Sequence, residues 1–173
     1  MSKRALVKYL QSLKKDELET QVLELYDKFL PVRTYYNFVF NPKEDKLIDE
    51  AKQKVLKEYL PQTKRKPKAR RSVAQKVIKH FLTLELDPSL LADFMLFNIE
   101  TAMRFNARKE VRQEAFFKSV YNSFVEASEF VLRNGLKGVY WERLNKILEE
   151  AEAQNWFNAS AFEIKLGELA DLP

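Results

Sequence analysis

Eight cations, Lys64, Arg65, Lys66, Lys68, Arg70, Arg71, Lys76 and Lys79, fall between Tyr59 and Leu84, a span without a single aspartate or glutamate. Like charges this close repel one another, favour an exposed loop and attract polyanions, so the chemistry they offer is phosphate contact. The chain carries a formal charge of +5 and these eight residues alone contribute +8, which leaves the remainder net acidic and makes the basicity local. Ser72 stands where it could accept from the free N–H groups of a first helical turn, with Gln75 three residues on, as in a capping box. A basic loop would then feed into a helix N-terminus, where N–H groups and the helix dipole favour an anion. On that reading Lys64, Arg65, Lys66, Lys68, Arg70 and Arg71 contact backbone phosphates. Ser72 and the N–H groups after it hold one phosphate, and Lys76 and Lys79 extend the patch along the helix. The plainer reading is a solvated loop between helices whose charge serves solubility.

Bond-making chemistry finds little material. His80 is the only histidine and there is no cysteine, which excludes the usual zinc spacings, thiolate nucleophiles and disulfides. Three glycines cannot build a phosphate-cradling GxxxxGK[ST] or GxGxxG loop. His80 reads as a neutral, hydrogen-bonded residue at the edge of a core rather than a general base. Asp93 and Glu100, seven apart, share a face of one helix and form the one carboxylate pair worth weighing; Glu100 has Arg104 four residues on as an ordinary helical partner. No catalytic, metal or cofactor-binding residue is therefore expected, and no cofactor.

The elements that must carry the basic block read as helices. At 173 residues the chain can bury about 70% of its unfolded surface, and 46% hydrophobic content is globular. Apolar residues recur at helical spacing from Lys3 to Leu13. Asp16 with Glu19 opens a second helix ending near Phe29. The stretch VRTYYNFVF fits a short helix or an extended piece, and its rings, Tyr35, Tyr36, Phe38 and Phe40, read as core in preference to a base-stacking platform. Asn41 and Pro42 cap a helix to about Leu60, Val73 to Leu84 follows the basic loop, and Asp87–Pro88 starts a helix apolar over most of its girth, the expected centre of the fold. Asn106–Lys109 either breaks that helix or is crossed by it. Further helices span about Val111–Arg133, closed by Asn134–Gly135, then Val139–Ala153, and a last one from Asn158 to Leu169. The expectation is all-α: a single compact domain, residues 1–173, of seven to eight helices, as a bundle or a short array of helical hairpins, with 62–71 as a basic inter-helix loop.

Three stretches, FVFNPKEDKL, RKPKARRSVAQKVIKHF and QNWFNASAFE, together resemble a family of small all-helical bacterial proteins that carries only a domain-of-unknown-function label. The resemblance implies a bacterial cytoplasmic protein and transfers no catalytic residue. The N-terminus also lacks the apolar run of a secretory signal, and no stretch reaches the ~20 apolar residues of a membrane span, so no membrane partner is expected. The functional expectation is a non-enzymatic binding protein whose basic loop and helix start meet nucleic acid or another polyanion. The alternative is a protein-interaction or regulatory scaffold, self-associating as a homodimer through its basic middle and its acidic C-terminal third.

Overall fold

The computed structural model describes residues 2–62 and 66–172, and among them every regular element is a helix. These are α1 (Lys3–Ser12), α2 (Lys15–Lys28), α3 (Leu30–Phe40), α4 (Glu44–Tyr59), α5 (Arg71–Leu84), α6 (Pro88–Arg108), α7 (Glu114–Arg133), α8 (Lys137–Ala153) and α9 (Ala159–Ala170). The all-α class stands. The chain separates into two compact units, Met1–Lys43 and Glu44–Pro173.

In the first unit Ser2 caps α1, its hydroxyl accepting from the Ala5 N–H at 3.3 Å. The second helix starts earlier than Asp16 and Glu19 suggest. Lys14 is the cap, and its N–H donates to the Glu17 carboxylate at 2.7 Å. Asp16 lies inside the first turn, where its charge suits the helix dipole, and Glu19 pairs with Lys15. The ambiguous aromatic stretch is helical, with Pro31 in its first turn where a missing N–H costs nothing. Tyr36 stacks on Phe40 and packs edge-on to Tyr35, and the Tyr26 hydroxyl donates to Asn37 Oδ1 at 2.9 Å. These rings are not core, contrary to expectation. No residue of α1, α2 or α3 is buried, and Phe40 is 81% exposed; within its unit α3 packs mainly on α2.

The second unit is built around α6, which packs against α4, α5, α7 and α8. Its girth is apolar: Leu91, Ala92, Phe94, Leu96 and Ile99 are all but fully buried. Contact with four helices makes this a bundle with a central rod, not an array in which each pair meets only its neighbours. The Asp87 carboxylate accepts from the Ser89 and Leu90 N–H groups at 2.8 and 3.2 Å, as the Asp–Pro start predicts. α4 begins at Glu44, beyond the expected Asn41–Pro42 start. Asn41 closes α3 instead, its N–H donating to the Asn37 carbonyl. Between α6 and α7 the rod does break. The buried Asn106 accepts the Val111 N–H at 2.9 Å and donates to Gln154 at 2.8 Å, folding residues 109–113 back across the end of α6. Beyond the Asn134 cap of α7, Gly135 turns into the left-handed region (φ 67°), and the Leu136 N–H reaches the Val131 carbonyl at 2.9 Å. Phe116, Phe117, Trp156, Phe124 and Phe162 then seal α7 to α9 in largely edge-to-face contacts.

Candidate anion-binding cleft

Residues 66–70, the described strap of the basic block, are stitched to the end of α4 by Glu58. The Glu58 carbonyl accepts the N–H groups of Lys68 and Ala69 at 3.1 and 3.2 Å. Its carboxylate accepts from Arg70 three times: the backbone N–H at 3.2 Å, Nε at 2.8 Å and Nη2 at 3.2 Å. Glu58 is only 8% exposed, so a buried carboxylate is held by a full set of donors. The same hydrogen bonds, with the nearby charge, hold the Arg70 guanidinium above its ordinary pKa. To follow α4 across, the strap places Ala69 in the left-handed region (φ 49°). Arg71 is committed as well: Nε donates to Ser123 Oγ at 2.8 Å and Nη2 to Glu126, whose other oxygen accepts from Gln75 at 2.7 Å.

This geometry corrects the helix start. Arg70, not Ser72, is the cap of α5; Ser72 lies exposed within the first turn, and the Arg70 side chain makes no capping hydrogen bond to that turn. Gln75 reaches across to α7 rather than back along its own helix. The carboxylate that meets the beginning of α5 is the protein's own Glu58.

Of the other expected contacts, Lys64 and Arg65 lie outside the described residues. Lys66 and Lys68 are exposed on the strap, and Lys76 and Lys79 are exposed on α5 along the stripe of Ser72. None of these four lysines has a carboxylate within ion-pair distance among the described residues.

The strap also walls one side of an open cleft of roughly 500 Å³. Pro67, Lys68 and Ala69 face the α6–α7 connection, which supplies Lys109, Glu110 and Arg112, while Phe105 and Phe116 form an aromatic floor with ring centroids 6.0 Å apart. Three of the charged lining residues are cations and one is an acid, Glu110. Lys109 and Arg112 are exposed and, among the described residues, unpaired. Sequence reasoning missed them. Their signal is the run RKEVR, directly after the Asn106 break and outside the acid-free window.

Asp93 and Glu100 do come together, around a third residue. Arg143 on α8 donates Nε and Nη2 to the two oxygens of Glu100 at 2.5 and 2.9 Å and Nη1 to Asp93 at 2.6 Å; Lys52 holds the other Asp93 oxygen at 2.6 Å. Glu100 therefore takes Arg143, while Arg104 turns to Thr101 and the Phe97 ring. Burial pushes the Asp93 carboxyl up, but the hydrogen bonds from Lys52 and Arg143 outweigh it and hold Asp93 below its ordinary value. Burial opposes the Arg143 charge, and the hydrogen bonds to Glu100 and Asp93 raise it regardless. An acid kept charged this firmly is a poor proton donor near neutrality, which suits a structural cluster. His80 is exposed on α5 beside Phe81, not at the core edge, and makes no hydrogen bond among the described residues. No group of three or more metal-ligating side chains occurs among them, and no described helix is long and apolar enough to cross a membrane.

Fold and cleft together define a protein whose described elements are all helices, with residues 66–70 fastened to the end of α4 beside an open cleft. By its sequence pattern the chain belongs to the family of unknown function DUF6155, matched over residues 1–169, in agreement with the three stretches singled out above. No curated protein and no solved structure matches it.

Proposed function

We propose that this chain is a non-enzymatic binding protein that takes the phosphate backbone of a nucleic acid, or a like polyanion, on the strap and cleft of its second unit. The carrying observation is a division of labour among the cations. Arg70 and Arg71 are tied to Glu58 and Glu126, whereas Lys66, Lys68, Lys109 and Arg112 stay exposed without acid partners among the described residues, and three of them line one cleft. Cations on a strap already fixed by its hydrogen bonds lose less freedom on binding than cations on an open loop. Lys76 and Lys79 extend the surface along α5. A cytoplasmic setting, where nucleic acid is at hand, belongs to the same proposal.

The test is fluorescence anisotropy with labelled single- and double-stranded oligonucleotides across a salt series. Lys66, Lys68, Lys109 and Arg112 are changed to Gln, leaving Arg70 and Arg71 in place because they hold the fold. The expected result is micromolar binding near physiological salt that falls at least ten-fold in the variant. The logarithm of affinity should decline with the logarithm of salt at a slope of about −0.9 for each phosphate neutralised on duplex. Equal, weak signals from both proteins would sink the reading.

A further inference from the structure

Residues 2–43 bury no side chain, yet eleven of the sixteen large apolar residues left exposed in the described chain belong to them. Exposed apolar surface this concentrated marks an interaction face. Two depressions there share Val22 and Leu23: one continues to Leu18, the other to Tyr26, Tyr36 and Phe40, so a single apolar trough runs along α2 to the end of α3.

The charges say what fits it. α2 carries five acids, Asp16, Glu17, Glu19, Glu24 and Asp27, against two lysines. α1 carries Lys3, Arg4 and Lys8 and no acid, and none of these cations reaches a carboxylate within ion-pair distance among the described residues. α1 also leaves Leu6, Val7 and Tyr9 exposed. Leu13 and Lys14, both extended, lead from α1 into α2, and the only side-chain hydrogen bond between the two helices among the described residues joins Gln21 to Tyr9. A basic amphipathic helix with exposed apolar residues and an acidic apolar trough are thus carried by one chain.

We propose that the trough seats α1 of a second copy of this chain, and that the exchange is reciprocal, giving a two-fold symmetric dimer held by apolar burial and by basic α1 against acidic α2. The trough and the cleft share no lining residue, so the two proposals are tested by different variants.

Sedimentation equilibrium and light scattering on the full chain, from low to several hundred micromolar, test it. The mass should double across the series, with the midpoint moving to higher concentration as salt rises. Leu23→Glu combined with Phe40→Glu should give a monomer at every concentration with unchanged helical ellipticity. A charge exchange covers the case in which that variant loses helix. One chain carries Lys3→Glu, Arg4→Glu and Lys8→Glu; the other carries Glu19→Lys, Glu24→Lys and Asp27→Lys. Each alone should associate at least ten-fold more weakly than the parent, and their mixture should recover the dimer. A parent that is monomeric throughout overturns the proposal, as does a dimer indifferent to the apolar pair or a mixture that fails to recover.

Discussion

Glu58 sets two effects against each other. Removing a carboxylate beside a basic strap raises the local positive charge and, on charge alone, tightens polyanion binding. Removing it also frees Arg70 and unfastens the strap. The second effect wins if preorganisation is what the strap supplies, so Glu58→Ala is expected to bind the oligonucleotide several-fold more weakly and to be cut by trypsin after Lys68 faster than the parent. Tighter binding by this variant would leave the cations acting as an unstructured cloud. At the Arg143 cluster the prediction concerns acid. Asp93 has a folded pKa below its ordinary value of about 4, so its stabilising contribution is complete above that value and is lost as pH falls through the lower folded one. Asp93→Asn should flatten the stability profile below about pH 4, read as the urea midpoint at each pH. Arg143→Ala, which leaves two half-buried carboxylates facing each other, should cost about 1–3 kcal/mol after allowance for solvent at the site. Lysine should not rescue it, since one ammonium cannot reproduce the two-pronged grip on Glu100. Spacing in the sequence offered Arg104 for Glu100; the true partner is 43 residues away, and helical periodicity carries no information about contacts between helices.

Among the elements, the connection from α6 to α7 bears most on the site, because Asn106 fixes the backbone that presents Lys109 and Arg112. Asn106→Ala removes the acceptor for the Val111 N–H and the donor to Gln154, a loss of about 1–3 kcal/mol for a buried pair of bonds, and should weaken oligonucleotide binding in parallel. Asp87→Ala tests α6 without touching the cleft: about 1 kcal/mol of capping is lost, and binding should be unchanged once both proteins are folded. α6 was legible as the central helix because its apolar residues occupy nearly its whole circumference, a pattern only a surrounded rod tolerates. Its cap was legible because Asp followed by Pro is a local signal. The start of α5 was not. Ser72 has the right chemistry for a cap, but α4 supplies a carboxylate that fastens Arg70 and moves the boundary upstream. Tyr35, Tyr36, Phe38 and Phe40 look like core by composition; whether a ring is covered depends on which helices pack over it, and within its unit α3 packs mainly on α2.

For the molecule as a whole, the excess of positive charge was readable and its use was not. Counting residues finds eight cations in the window; only the packed structure separates Arg70 and Arg71, each bonded to a carboxylate, from Lys66 and Lys68, which stay exposed with no acid partner among the described residues. Lys109 and Arg112 escaped because a window defined by missing acids stops short of the far wall of the cleft. The split into two units has a spectroscopic corollary. Both tryptophans lie in residues 44–173, Trp156 deep among Phe116, Phe117 and Phe162 and Trp141 half-covered beside Lys137, whereas four of the seven tyrosines lie in residues 2–43. Indole emission excited at its red edge is therefore blind to the first three helices. On heating, ellipticity that declines while that emission holds steady would time their unravelling separately from the collapse of the bundle.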